Sequence, residues 1–412
     1  VAGKTIIVLG GGVGGLVAAN ELRHRLNSEH RVILVEKNTH HAFPPSFVWV
    51  MLGDRTASQV TRPLSQLVRR GVQVVNAEVV QLDLARRRIE TTGPELAYDY
   101  LVVALGAELA PEAIPGLAQA SDTFYHLAGA VRLAEVIQTF AGGTIAIVVA
   151  RTPFKCPSAP HEVALLLDHK FRKKGVRNQV DLHLFTPEPL PMGTAGPAMG
   201  NLLKQMDENH GINVHLRHKL MSVDSTHREL IFEGGQKAQF DLLVSVPPHR
   251  SAHLVQEAGL TNETGWIPVE ARTLKTRFED VWAIGDVTSI SLPGRHHPDV
   301  PLTLPKAGTF AHIQAEVVAD QIAAAIEGRG SPRSFDGKGY CWIETEHGLA
   351  GFASGEFYVE PAPIVNLRPP SRTLYWGKVL FEKYWLSTGL VRQMVRLAMV
   401  GGGKGLGLDV RL

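Results

Sequence analysis

Cys156 and Cys341 are the only thiols in a chain of 412 residues. Two cysteines are too few for a disulfide framework, and metal sites usually want more ligands, so nucleophilic or redox chemistry is the use to consider. Cys156 lies in the stretch RTPFKCPSAPHE, between the apolar run GTIAIVVA and the helical pattern HEVALLLDHKFRKK. A thiol in a turn between a strand end and a helix start feels the positive end of the helix, and Lys155 stands beside it; both favour thiolate. The competing reading is a buried, inert cysteine. Cys341 opens a second β-like stretch, GYCWIE, with Trp342 next to it. His40 and His41 are adjacent, a poor spacing for metal ligands, and read as loop-packing or solvated residues.

The elements that must hold such residues start at Lys4, with KTIIVLGGGVGGLVAAN. Thr5–Leu9 is a continuous apolar run, expected as a buried parallel strand. Gly10, Gly12 and Gly15 form G-x-G-x-x-G, and residues 16–22 are expected to be helical. In that motif the first glycine permits a tight turn, the second a close approach to pyrophosphate, and the third close helix–strand packing. The strand RVILVEK then ends in Glu36, a carboxylate placed to accept ribose hydroxyls. A further buried strand is expected from Tyr100 to Leu105, ending at Gly106. The motif WAIGDVTSI brings a strand ending in Gly285-Asp286, where the carboxylate can hold a sugar or ribityl hydroxyl. A long helix follows over residues 308–327. Lys306 precedes its positive end and suits either a reduced, anionic flavin ring or plain solvent. The second strand–turn–helix has no glycine between Ala150 and Ala159, which argues against tight NAD(P)H binding there.

Between these motifs, residues 60–70 read as a helix and 92–94 as a hairpin turn. The bulk numbers exclude little. Lys plus Arg is 42 and Asp plus Glu is 40, so charge gives no argument for nucleic acid. The chain runs straight into a strand, so no signal peptide is expected, and no stretch is apolar enough to cross a bilayer. From Arg372 onward seven basic residues face two acidic ones, interleaved with aromatics in SRTLYWGKVLFEKYWLSTGLVRQMVRLAMV. Such short amphipathic helices suit a membrane interface; the alternative is packing on the protein's own core or a partner subunit. The final GGGKGLGLDVRL reads as flexible.

Over nearly its whole length the sequence resembles the sulfide:quinone oxidoreductases and the flavoprotein subunit of flavocytochrome c sulfide dehydrogenase. The carriers are GGGVGG, YLVVALGA, KCPSAPHE, FTPEP, WAIGDVTSI, LPKAGTFA and GYCWIE; FEKYWL is similar to the membrane-anchoring end of the quinone-reducing members. A third, earlier cysteine common in that family is absent, as is a histidine often found soon after FTPEP, so the chain resembles the two-cysteine branch. The implied fold is α/β, with two Rossmann-like domains of the disulfide-reductase-like flavoprotein superfamily and a C-terminal amphipathic segment. The implied boundaries are 1–110 with 246–330 for FAD, 111–245 for the domain carrying Cys156, 331–371 for a β-rich piece carrying Cys341, and 372–412 for the membrane-associating end.

The resemblance implies non-covalent FAD held by Gly10, Gly12, Gly15, Glu36, Lys37 and Val79 on one side. Ala104, Gly106, Gly285, Asp286, Lys306 and Ala307 complete that set. It also implies that Cys156 and Cys341 form a redox pair, with Cys341 nearer the flavin and Cys156 carrying sulfur. Glu162 would move protons or merely favour its helix start, and Phe352 and Phe381 would contact quinone. Expected partners are sulfide, quinone, a membrane surface and a possible second copy, with neither nucleic acid nor metal. The runners-up are a sulfide dehydrogenase serving a cytochrome and a type II NADH:quinone oxidoreductase. A flavin-binding interaction protein without activity would leave the contexts of both cysteines without a reason.

Overall fold

The computed structural model describes residues 3–330 and 332–412; the expected domain limits at residues 1 and 331 fall outside them. In chain order the elements that matter are β1 (Thr5–Leu9), α1 (Val13–Arg25), β2 (Arg31–Val35), β3 (Val72–Val75) and β4 (Tyr100–Val103). Then come β5 (Gly143–Val149), α2 (Ala159–Lys174), β6 (Val180–Phe185), α3 (Pro197–Asn209), β7 (Ile212–His215) and β8 (Leu242–Val246). The last group is β9 (Val281–Ala283), α4 (Gly308–Glu327), β10 (Lys338–Glu346), β11 (Leu349–Glu356), β12 (Ile364–Ser371), α5 (Arg372–Leu386) and α6 (Gly389–Gly405).

The first sheet is parallel, in the order β9-β4-β1-β2-β3, so its outer strand returns from far along the chain. Ile6, Ile7, Val8 and Leu9 are wholly buried, as a central strand covered on both faces requires. Helices α1 and α4 pack together on one face. A Cβ on Gly14 of α1 would stand 3.4 Å from the Ala311 methyl of α4, so small residues set that approach.

The second sheet, β7-β6-β5-β8, is also parallel. Helix α2 is buried almost all round through Asp168, because it lies between this sheet and the third one. That third sheet is antiparallel, β10-β11-β12, with Cys341 opposite Ala353. Both helical layers and the parallel sheets make an α/β protein of Rossmann-like elements with C-terminal helices.

Three local readings differ from the sequence expectation. Residues 60–70 are not one helix: Thr61–Pro63 is a short strand and only Leu64–Leu67 is helical. Pro63 biases Arg62 toward extended backbone, which explains the delayed start. Helix α1 is longer than residues 16–22, running Val13–Arg25. The C-terminal stretch is not loose. Helix α6 continues to Gly405, Arg396 donates to the Leu412 carbonyl at 3.0 Å, and Leu412 is buried.

Candidate active site

The site begins with where the two thiols lie. Cys156 sits in the β5–α2 turn with φ of 52°, a left-handed backbone that costs a non-glycine residue about 1–2 kcal/mol. Its N–H donates to the Lys306 carbonyl at 2.7 Å, tying the turn to the segment that leads into α4. Cys341 comes from β10. Ser158 Oγ lies 3.9 Å from both sulfurs, and the Cys341 thiol donates to the Trp342 carbonyl at 3.3 Å. Both cysteines are reduced here and line one cavity of about 470 Å³.

The pair is polarised. Its neighbour Cys156, acting against burial, pulls the Cys341 thiol below its usual range. Cys341 in turn, then burial, pushes Cys156 well above it. The sequence reading favoured thiolate at Cys156; the structure puts the thiolate preference on Cys341. Lys155 does not reverse this, since its own ammonium is held below its usual pKa by burial.

Glu162 is on the first turn of α2, buried, and ion-paired with Lys378 of α5. Lys378 also pairs with Glu344 of β10 at 2.8 Å, and Trp49 donates its indole N–H to the same Glu344 oxygen at 2.8 Å. Burial alone would lower Lys378, but Glu162 and Glu344 outweigh it and hold the ammonium charged. For Glu162 burial wins, and its carboxyl is raised despite Lys378. Its negative charge disfavours thiolate on both cysteines. This triad was invisible in the sequence because Lys378 read as one of the interleaved basic residues at a membrane surface.

The dinucleotide cradle is formed by the first sheet. A Cβ at Gly15 would sit 1.8 Å from the Gly10 carbonyl, so only glycine lets α1 lie on the turn. At Gly12 a Cβ would meet nothing, and α1 has no side-chain cap, so its first N–H groups face open space. Glu36 accepts from the Gly11 N–H at 2.6 Å and the Asn38 N–H at 2.8 Å. His41, which the sequence left as a loop residue, is buried and bonds the Gly11 carbonyl at 3.0 Å. Asp286 Oδ1 is buried without a partner, as a ribityl-holding carboxylate would be in a ligand-free chain. Ala307 leads α4, whose N-terminus also lacks a side-chain cap. These features fit an FAD.

Other expected contacts are placed as follows. Ala104 backs Gly10, with its carbonyl 2.5 Å from where a Gly10 Cβ would be. Gly106 has φ of 69° just beyond β4. Gly285 N–H donates to Gln314 at 2.7 Å. Lys37 is exposed and paired with Glu78, and Val79 is buried at the start of a short antiparallel meander. Lys306 is not a solvated lysine. It is buried, donates to the Asp286 and Thr288 carbonyls at 2.7 and 2.9 Å, and burial lowers it to about 8. Phe381 is half-buried against Phe43, Trp342 and Trp385. Phe352 is buried behind it, between Tyr340 and Trp342. Among the described residues no His, Cys, Asp and Glu cluster could hold a metal.

A profile of the family described as Pyridine nucleotide-disulphide oxidoreductase matches residues 4–314, and the chain belongs to that family of oxidoreductases. Within it, the mouse mitochondrial sulfide:quinone oxidoreductase is 24% identical over 96% of this chain and 90% of its own length. The type II NADH:quinone oxidoreductase of Staphylococcus haemolyticus is 22% identical over 80% and 84%. The crystal structure of the sulfide:quinone oxidoreductase from Aquifex aeolicus superposes with a TM-score of 0.84, at 22% identity, covering 99% of this chain and 96% of that one.

Proposed function

We propose that this flavoprotein oxidises sulfide at Cys156 and Cys341 and delivers the electrons to a membrane quinone. The observation that carries the reading is the pairing of the chain's only two cysteines, from distant segments, on one cavity beside the dinucleotide cradle. The similarity to sulfide:quinone oxidoreductases from mouse and Aquifex aeolicus supports it. The type II NADH:quinone alternative is disfavoured by the β5–α2 turn. It holds Lys155, Cys156 and prolines where a pyridine nucleotide would need glycines.

In this reading Gly10, Gly12, Gly15, Glu36, Lys37, Val79, Ala104, Gly106, Gly285, Asp286, Lys306 and Ala307 hold FAD. Bound there, FAD supplies a two-electron relay from Cys341 to quinone. The chain's own residues do the sulfur chemistry. In the oxidised enzyme the cysteines are joined; sulfide attacks Cys156, the S–S bond breaks, and Cys341 leaves as thiolate while Cys156 keeps the persulfide. The polarity of the pair suits this, since the leaving thiol is the one with the lowered pKa. Glu162, behind the pair, sets its protonation. Phe381, backed by Phe352, contacts quinone, and the exposed face of α6 lies on the membrane as a peripheral attachment. No helix among the described residues is long and apolar enough to cross a membrane.

The test is anaerobic. Sulfide added to the purified yellow protein should bleach the flavin band, a soluble quinone should restore it, and NADH should be inert. Bleaching by NADH but not by sulfide would overturn the proposal.

A further inference from the structure

The buried Glu162 is engaged by Lys378, but the cavity that holds both cysteines is lined by a second carboxylate. Glu188 comes from the FTPEP turn just after β6. Strands β5 and β6 are parallel neighbours, with Val148 beside Phe185. The loops leaving their ends, one with Cys156 and one with Glu188, therefore open on the same side. Thr186 donates its hydroxyl to Glu188 Oε2 at 2.9 Å. Met192, at φ of 53°, and Gly193 fold the chain over the carboxylate and also line the cavity.

His161 lies on the first turn of α2. It is 1% exposed, and its Nδ1 lies 2.6 Å from Oδ2 of Asp207, a wholly buried residue of α3. Burial raises the Glu188 carboxyl; Thr186, His161 and the amides of Gly193 and Met192 pull it partly back. A carboxylate raised toward neutrality is the better proton acceptor. The rest of the wall is largely apolar, with Phe154, Met192, Leu304 and Phe357, and admits neutral hydrogen sulfide more readily than its anion.

We propose that Glu188 is the proton acceptor when hydrogen sulfide attacks Cys156. The inference rests on the sulfide reading above. As the sulfur bonds to Cys156 Sγ, one S–H proton passes to the Glu188 carboxylate. The Cys156–Cys341 bond breaks, and Cys341 departs with the electron pair as thiolate. The products are a Cys156 persulfide, a Cys341 thiolate and a neutral Glu188. The sulfide sulfur has lost the two electrons that the disulfide gained.

The experiment follows flavin bleaching by sulfide in flavin-loaded wild type, Glu188→Gln and Glu188→Asp, in an anaerobic stopped-flow instrument. Glu188→Gln should slow the limiting rate about 100-fold, with half-saturating sulfide and reoxidation by quinone unchanged, and Glu188→Asp should recover part of the loss. Wild-type bleaching rates in both Glu188 variants would overturn the proton-acceptor role. Failure of wild type to bleach with sulfide would instead overturn the sulfide reading.

Discussion

At the scale of single residues, the site depends on two sulfurs that flank one serine hydroxyl and line one cavity. Cys156→Ser and Cys341→Ser should each abolish bleaching by sulfide. Each should leave reduction by dithionite and reoxidation by quinone intact, as followed by flavin absorbance. Loss of both half-reactions would make the cysteines structural. Gly10, Gly15, Gly285 and Asp286 were legible in the sequence because backbone geometry limits each to one residue type or one position in a strand–turn–helix. The polarity of the thiol pair was not legible. A thiol's pKa is set by its spatial neighbours, and the strongest neighbour of Cys156 is Cys341, far along the chain. Lys155, adjacent in sequence, has the weaker influence.

At the scale of elements, α5 carries a cation into the protein rather than toward a membrane. Lys378→Met would leave Glu162 and Glu344 buried without their counter-ion. Breaking such a pair from one side costs about 3–5 kcal/mol, readable as a lowered denaturation midpoint at unchanged slope. Glu382 of the same helix is likewise buried, paired with Arg55 at 3.2 Å and Ser46 at 2.8 Å. The periodicity of α5 marks a helix, yet cannot say that its polar residues point inward, because partners such as Glu344 and Arg55 belong to other segments. Helix α4 was legible to the residue, since an uninterrupted apolar period ends at a glycine with φ of 67°.

The ends of β6 and β7 carry a second polar cluster. His183 Nδ1 lies 2.8 Å from His215 Nε2, and His215 stacks on Phe185 with ring centroids 4.3 Å apart. Burial, then His183 and His218, lower His215 to about 4. Between that value and the usual value of about 6.5 the unfolded chain binds more protons at this site than the folded one. Its contribution to stability is therefore complete above about pH 6.5 and lost as pH falls through about 4. Thermal melts across that range should show the decline, and His215→Phe, which keeps the stack, should flatten it.

At the scale of the whole molecule, the C-terminal helices divide their work. Helix α5 buries Leu374, Val379, Tyr384 and Trp385, whereas α6 exposes Leu390, Met394 and Leu397 to about 70% or more (77%, 69% and 72%). A contiguous apolar face of this kind marks an interaction surface, and the basic residues Arg392, Arg396 and Lys404 lie on the same helix. Replacing Leu390, Met394 and Leu397 by Gln should abolish co-sedimentation with anionic vesicles. Each lost side chain removes about 1.5–3 kcal/mol of apolar transfer. Turnover with a short-chain soluble quinone should persist. Unchanged vesicle binding would assign the face to another occupant.

The first sheet draws β9 from beyond the whole second sheet, and this has a consequence for synthesis on the ribosome. When Val246 has emerged, β5 to β8 can already close their own core. The sheet begun at Thr5 still lacks both β9 and the helix that covers α1. At about 5–20 residues per second the open edge of β4 waits roughly ten seconds or more for its neighbour. During that interval an unpaired strand edge is exposed to other nascent chains. The nucleotide cradle thus matures after the second sheet, once β9 and α4 have been translated.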